Sequence, residues 1–507
     1  MITQVDIKTS NGNAMIIRPS NQSEPAQPSN QPDDDGWITV SRRRSRNAEA
    51  SREGRIACEI TINNLPNSIL VHILSFLRTT EAAQTCVLSL RWRYLWTYIP
   101  TLIMEGYECN KAKKMNTFLQ LCRSPYLRQV TLTLAKTVDH ESCFRWVDFA
   151  MHHKGVEGLS LKVATGRWSF ENLHYSLPEN IFSRSQFLRV LVLYGCELRN
   201  IGTVDLRNVR KLSFSNINVV GNSLNDLLAA CPRAEILKLE YSDSVTDLSA
   251  TLAELKKIKL VQCDQLKSAR LTVPNLQVVK IKDSFKSGIE CFRLCGMVNV
   301  MEAYIYITED IQSSDSKIQG YVDLLHNLGQ AKQLTMHSSA ETMLNWSRVI
   351  ADCSSMKVLR FKLISSGDQS SLLLMPALLN KFPNLEEFKL HQCGSNRNWF
   401  SDDEASSGPN YGDSFPVNCS LQCLKRISIL DYNNEKHVFK LVKFLLQNAI
   451  VLESISFVNC FGDFLEYLEL IDVFKICKAS PKAEIVFEDE FSEFWYPDAK
   501  DFRVAIS

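Results

Sequence analysis

Sixteen cysteines and nine histidines are the residues of this chain most able to do chemistry on their own. A metal site would require paired C-x-x-C cysteines or a histidine at ligand spacing, and neither pattern occurs. Cys196, Cys263, Cys393 and Cys460 each close an L-x-L-x-x-C run instead. That position predicts buried, reduced, structural thiols. There is no H-E-x-x-H, no G-x-S-x-G and no phosphate-cradling glycine loop. His152-His153 reads as a surface or helix feature. No cofactor and no metal is expected, and the chain reads as non-catalytic. The chemistry left to it is recognition by apolar anchors.

Those anchors concentrate between Ile60 and Ile103, where a polar composition turns abruptly apolar. Leu65-Pro66 announces a helix, because proline at a helix start gives up only an N–H that would be unpaired anyway. Ile69, Leu70, Ile73, Leu74 and Leu77 then recur at helical spacing. Thr79 or Thr80 can cap a second helix running through Cys86 to Leu88. Ser89 can cap a third, carrying Trp92, Leu95, Trp96 and Ile99, which Pro100 helps to end. Three short helices make a small core by themselves. So much apolar surface on so little domain implies that a partner completes it.

The flanking segments differ in kind. Residues 1–57 are rich in Ser, Asn, Gln and Pro and are expected to be a disordered polar tail. Within it lies the basic run Arg42-Arg43-Arg44-Ser45-Arg46, read as a solvated charged tail in preference to an import or nucleic-acid signal. Beyond residue 110 the pattern L-x-x-L-x-L keeps returning. It occurs at Leu127-Val130-Leu132, Val156-Leu159-Leu161, Leu188-Leu191-Leu193 and Val209-Leu212-Phe214. It continues at Ala234-Leu237-Leu239, Leu255-Ile258-Leu260, Leu276-Val279-Ile281 and Val300-Ala303-Ile305. The last five are Ala331-Leu334-Met336, Met356-Leu359-Phe361, Leu385-Phe388-Leu390, Leu424-Ile427-Ile429 and Leu452-Ile455-Phe457. The alternation places apolar side chains on one face of a short strand, and a following segment, often helical, returns the chain. Successive starts overlap the spacing of leucine-rich repeats, in which stacking buries what no single unit can bury. A polar insertion spans 394–414, and His437–Ala449 is expected to form an amphipathic helix.

Bulk properties narrow the partners. Lys+Arg 57 against Asp+Glu 56 leaves a net charge of +1. A near-neutral chain is not steered as a whole to nucleic acid or an anionic membrane, although a local patch could be. Nucleic acid is therefore not the expected partner. The longest apolar run, Leu372 to Leu379, is too short to span a bilayer and is broken by Pro376, so no membrane is expected. The opening MITQVDIKTS carries no apolar signal segment, which points to a reducing compartment, the nucleus or cytoplasm or both.

Residues 60–104 resemble the plant F-box in their ordered features: Leu65-Pro66, Ile69-Leu70, Ile73-Leu74-Ser75-Phe76-Leu77, Val87-Leu88-Ser89, Arg91-Trp92-Arg93, Leu95-Trp96, then Pro100 and Leu102. Asn67, Arg78 and Leu90 depart from the usual Asp, Pro and Lys. Pro416 to Cys460 is similar to the FBD region that accompanies plant F-boxes and leucine-rich repeats. The resemblance implies an α/β protein with an N-terminal three-helix F-box at 58–105 and a leucine-rich-repeat solenoid at 110–415. An FBD-like region with terminal repeats at 416–490 and a tail at 491–507 would follow. It also implies docking on a Skp-type adapter, and through it on cullin and RING subunits, with an unknown protein as substrate. Leu65, Pro66, Ile69, Leu70, Ile73, Val87 and Leu95 would then meet the adapter. Leu74, Leu77, Leu88, Trp92 and Trp96 would fill the F-box core. Two readings stay open: a receptor of a ubiquitin ligase, or an adapter-bound scaffold or inhibitor that binds partners without promoting their degradation.

Overall fold

The computed structural model describes residues 62–104, 112–135, 140–164, 174–200, 202–282, 290–306, 323–338, 353–363, 372–392, 421–430, 436–458 and 478–488, with breaks of one to three residues inside some stretches. The expectations for the 1–57 and 491–507 tails, the 394–414 insertion, Cys393, Cys460 and part of the FBD region lie outside these residues.

One step, repeated, builds most of the fold. Fifteen strands form a sheet in which every neighbour is parallel and strand order follows the chain, from β1 (Thr101–Met104) to the strand Glu484–Glu488. All thirteen L-x-x-L-x-L units lie on these strands, and each of their apolar positions is buried. The alternation places them on one face, as a period of two requires. Register then aligns them across the sheet. Leu237 faces Ile258, then Val279, then Ala303, while Leu239, Leu260, Ile281 and Ile305 form the next row. Ion pairs tie the residues just before successive strands together. Arg210 and Lys256 share Glu235 at 2.6 and 2.7 Å, and Lys357 and Lys425 share Glu386 at 2.7 and 3.1 Å.

Two features go beyond the expectations. Among the described residues, the return segments are helical in some repeats and extended in others. Helices occupy Ala112–Leu121, His140–His152, Ser223–Ala229 and Lys436–Asn448. From Leu255 to Leu276 a unit is 21 residues long, and there the return is a strand: Asp247–Thr251, Ser268–Thr272 and Cys291–Cys295 form a second parallel sheet. A strand covers about 3.3 Å per residue against 1.5 Å in a helix, so it spans the unit with fewer residues. The sheet is also two strands longer than the motif count. Lys482 stands where the leading leucine of the last unit would be, which hides Glu484–Glu488. At the other end Ile99, Leu102 and Met104 have the repeat spacing and are all buried.

That first unit joins the F-box to the repeats. Leu102 pairs in register with Val130, and Met104 with Leu132. Ahead of it, the helix α1 (Asn67–Leu74) and the helix α2 (Thr79–Gln84) pack with the 3-10 segment Trp92–Tyr98 around Leu70, Leu74, Ala82, Trp92, Leu95 and Ile99. The third helix is thus a 3-10 turn rather than an α-helix. The N-cap of α2 is Arg78, whose N–H donates to Glu81 Oε2 at 3.1 Å, and not Thr79 or Thr80. Thr79 serves the next element instead. Its Oγ1 accepts from Ile103 N–H at 2.9 Å, and Thr101 Oγ1 donates to the Ser75 carbonyl at 3.1 Å. An outermost strand presents a row of unpaired backbone groups. Here the F-box stands at that edge and Thr79 takes one of its groups, the Ile103 N–H, so it sits as a cap on the first strand.

Candidate functional site

The F-box segment has too few residues to hide its own apolar side chains. On α1, Leu70 and Leu74 recur at i, i+4 and face the small core, and Leu70 is 0% exposed. The adjacent stripe, Ile69 and Ile73 with Phe76 one turn further on, is exposed. The segment Val87-Leu88-Ser89-Leu90 is more open still, with Val87 and Leu90 exposed to 83% and 84%. Arg91 draws this segment toward the start of α1: its guanidinium donates to Asn67 Oδ1 at 2.8 Å and to the Leu65 carbonyl. Pro66 is also exposed, and its carbonyl accepts the first helical N–H groups, from Ile69 and Leu70.

The structure redistributes three of the expected roles. Leu70 and Leu95 were expected to meet the adapter, but both are buried in the F-box core. Leu88 was expected in that core and is 62% exposed. The physical reason is common to all three. Apolar residues next to each other on a short helix or turn divide between core and surface according to packing, which periodicity does not record. Leu74 and Trp92 occupy the core as expected, and Leu65, Leu77 and Trp96 pack on its margin half-buried. Trp96 also borders the repeat core, its ring 6.1 Å from that of Phe118. Sequence reasoning passed over Phe76, Leu90 and Tyr94, all exposed. For Phe76 a signal existed, since it lies at i+7 from Ile69.

Elsewhere, Cys196, Cys263 and His153 have structural surroundings. Cys196 and Cys263 are fully buried, and the Cys263 thiol donates to the Leu239 and Val261 carbonyls at 3.6 Å. Burial pushes both thiols up to about 12, so they stay protonated and unreactive. His152 ends the helix His140–His152, and His153 stacks on Phe149 with its Nε2 3.0 Å from the Ser124 carbonyl. Among the described residues no group of three or more His, Cys, Asp and Glu could hold a metal ion, and no helix is long and apolar enough to cross a membrane.

An exposed apolar helical face, joined to a parallel repeat sheet, fits an F-box protein with leucine-rich repeats. The F-box domain model matches residues 62–103, and the model described as the At1g61320/AtMIF1 LRR domain matches residues 101–479. The two overlap on β1, the strand that both regions share. The chain belongs to the plant F-box/leucine-rich-repeat/FBD family. Its relatives include the F-box/FBD/LRR-repeat protein At4g26340 of Arabidopsis thaliana, 23% identical over 84% of this chain and 99% of that protein. The F-box/LRR-repeat protein At4g14096 of the same plant is 25% identical over 65% of this chain and 72% of its own length. The FBD-associated F-box protein At5g38590, also from Arabidopsis thaliana, is 29% identical over 48% of this chain and 60% of its own.

Proposed function

We propose that the chain is the substrate-recognition subunit of a Skp-cullin-F-box ubiquitin ligase, acting in the nucleus or cytoplasm. The F-box docks the Skp-type adapter, and the adapter links it to cullin and RING subunits. The repeats hold a target protein for ubiquitin transfer, with no chemistry supplied by this chain itself. Its contribution is positional: a bound target lysine is held at high local concentration near a ubiquitin-conjugating enzyme.

The observation carrying this reading is the exposed apolar face built from Ile69, Ile73, Phe76, Val87, Leu88 and Leu90. Large exposed apolar patches on folded proteins mark interaction sites. A helix face presenting Ile69 and Ile73 at i and i+4, with Phe76 in the turn that follows, suits the groove of a partner. The cap arrangement adds a second support, because an F-box fused to the first repeat strand fixes the target relative to the adapter. The test is capture of a Skp-type adapter by full-length chain carrying Val87→Asp and Leu90→Asp. Anchors at the centre of an interface each cost about 2 kcal/mol or more when lost, so capture should fall at least thirty-fold while the melting temperature holds. Undiminished capture would refute the docking role. If capture holds but no partner rises in abundance when the proteasome is inhibited, the adapter-bound scaffold is the correct reading.

A further inference from the structure

The sheet face opposite the core carries a charge that the chain as a whole lacks. On the seven strands from Ile236–Glu240 to Glu387–Gln392, residues alternating with the buried leucines face away from the core. Eight of them are lysine or arginine and three are glutamate, an excess of five in a chain whose total is +1. Register lines them up. Lys238, Lys259 and Lys280 are consecutive partners on three strands, and Arg360 and Lys389 are partners on two others. The row beside it runs from Lys282 through Tyr306, His337 and Lys362 to His391.

The glutamates are already engaged. Glu240 pairs with Lys238 at 2.8 Å and Lys259 at 3.4 Å, and Glu387 pairs with Lys389 at 3.2 Å and Arg426 at 3.1 Å. Glu302 accepts from the Tyr304 hydroxyl at 3.1 Å. The middle of the face, Lys280 to Lys362, bears its cations beside two tyrosine rings. Lys280 Nζ lies 4.6 Å from the centre of the Tyr304 ring and Lys282 Nζ 5.2 Å from that of Tyr306. Lys280 is only 6% exposed, so it raises the local potential from beneath, while Lys282 is exposed. The field of this cluster also reaches His337. Burial and the charges of Lys362, His391 and Lys282 bring its imidazole down to about 4.

We propose that this face, centred on Lys282 and Lys362, binds an extended acidic segment of a target protein. The inference rests on the receptor reading above and names the class of target. Charge complementarity gives the sign of the ligand. The two rows lie about 7 Å apart, as alternate positions of a strand do, and same-side side chains of an extended peptide repeat at that distance. A nucleic acid fits less well. Three carboxylates interrupt the face, and the tyrosine rings have lysine ammonium groups over them, whereas single strands need aromatic faces open for stacking.

The test uses the full-length chain and fluorescence anisotropy of a labelled (Glu-Ser)6 dodecapeptide at 50 and 200 mM NaCl. Lys282→Glu with Lys362→Glu should raise the Kd at least ten-fold, and salt should weaken wild-type binding several-fold. Lys267→Glu with Lys443→Glu, the same change in total charge at exposed lysines elsewhere, should leave the Kd within two-fold. Lys282→Ala alone, at an exposed position, gives a readout should the double reversal not fold. Absence of wild-type binding, equal weakening by both double variants, or equal affinity for (Lys-Ser)6 would overturn the proposal. So would tighter binding of a dodecathymidine that is lost in the same reversal. Adapter capture is scored on the same samples: its loss with peptide binding intact sinks the receptor reading alone, and the converse sinks this face alone.

Discussion

The F-box and the repeat body draw on the same apolar residue types and dispose of them in opposite ways. Between Ile69 and Tyr98 the F-box exposes eight large hydrophobic side chains around a core of six buried ones. In the repeats every leading, middle and final apolar position of the thirteen motif units is buried, and exposed hydrophobics such as Phe144 and Val298 are scattered. A repeat buries its apolar face against its neighbour, so addition of units solves the burial problem. Three short helical segments meet the repeats at β1 and, through Trp96, at Phe118. What is left uncovered in the F-box is thus open to a partner, while the repeats are left with a polar and charged outer face. The two regions thus present different surfaces, one apolar and the other charged, and the two proposals above rest on that difference.

The sharpest break of this comparison is a core substitution in the F-box. Trp92→Ala removes the largest side chain of the six-residue F-box core and should cost about 3–5 kcal/mol. Because β1 is shared, calorimetry should show the first repeats loosening together with the F-box. An unchanged repeat transition would mean that the F-box is not a cap. By contrast Leu90→Asp, at a position 84% exposed, should leave the calorimetric trace unaltered.

A second effect belongs to the charged face. His337 has a folded value near 4 against an ordinary 6.5. The unfolded chain therefore takes up the proton first as pH falls, and stability drops between about pH 6.5 and pH 4. The loss should be on the order of 2 kcal/mol, and His337→Gln should flatten that part of the curve in urea titrations. A slope that persists in the variant would place the titration elsewhere.

Smaller effects follow. Cys263→Ser replaces a buried thiol bonded to carbonyls by a better donor in a site shaped for sulfur, and should cost about 1–2 kcal/mol in thermal melts. In native protein Cys263 and Cys196 should resist alkylation while the exposed Cys295 is modified, which mass spectrometry of tryptic peptides can resolve. The smallest concerns Asn67, where the F-box usually has Asp. Asn67→Asp turns the 2.8 Å bond from Arg91 into a charged pair on an exposed surface and should add at most about 1 kcal/mol. A destabilised variant would show that the neutral bond is the better one here.

The sequence by itself determined thirteen of the fifteen strands of the long sheet. Strict alternation within L-x-x-L-x-L leaves one way to bury the apolar positions, and thirteen units of it dictate a parallel stack. It also determined the order of the regions and the location of the F-box. The tertiary structure alone decided which side of that segment is inside. Leu70 and Ile69 are neighbours of equal hydrophobicity, and only contact with Trp92 and Leu95 assigns Leu70 to the core and leaves Ile69 outside. It decided that Ile99 begins the first repeat, because a residue closing one helix and opening one strand satisfies both patterns. It also assembled the cationic face, from lysines far apart in the chain that no local spacing relates, since register between strands is a property of the stack.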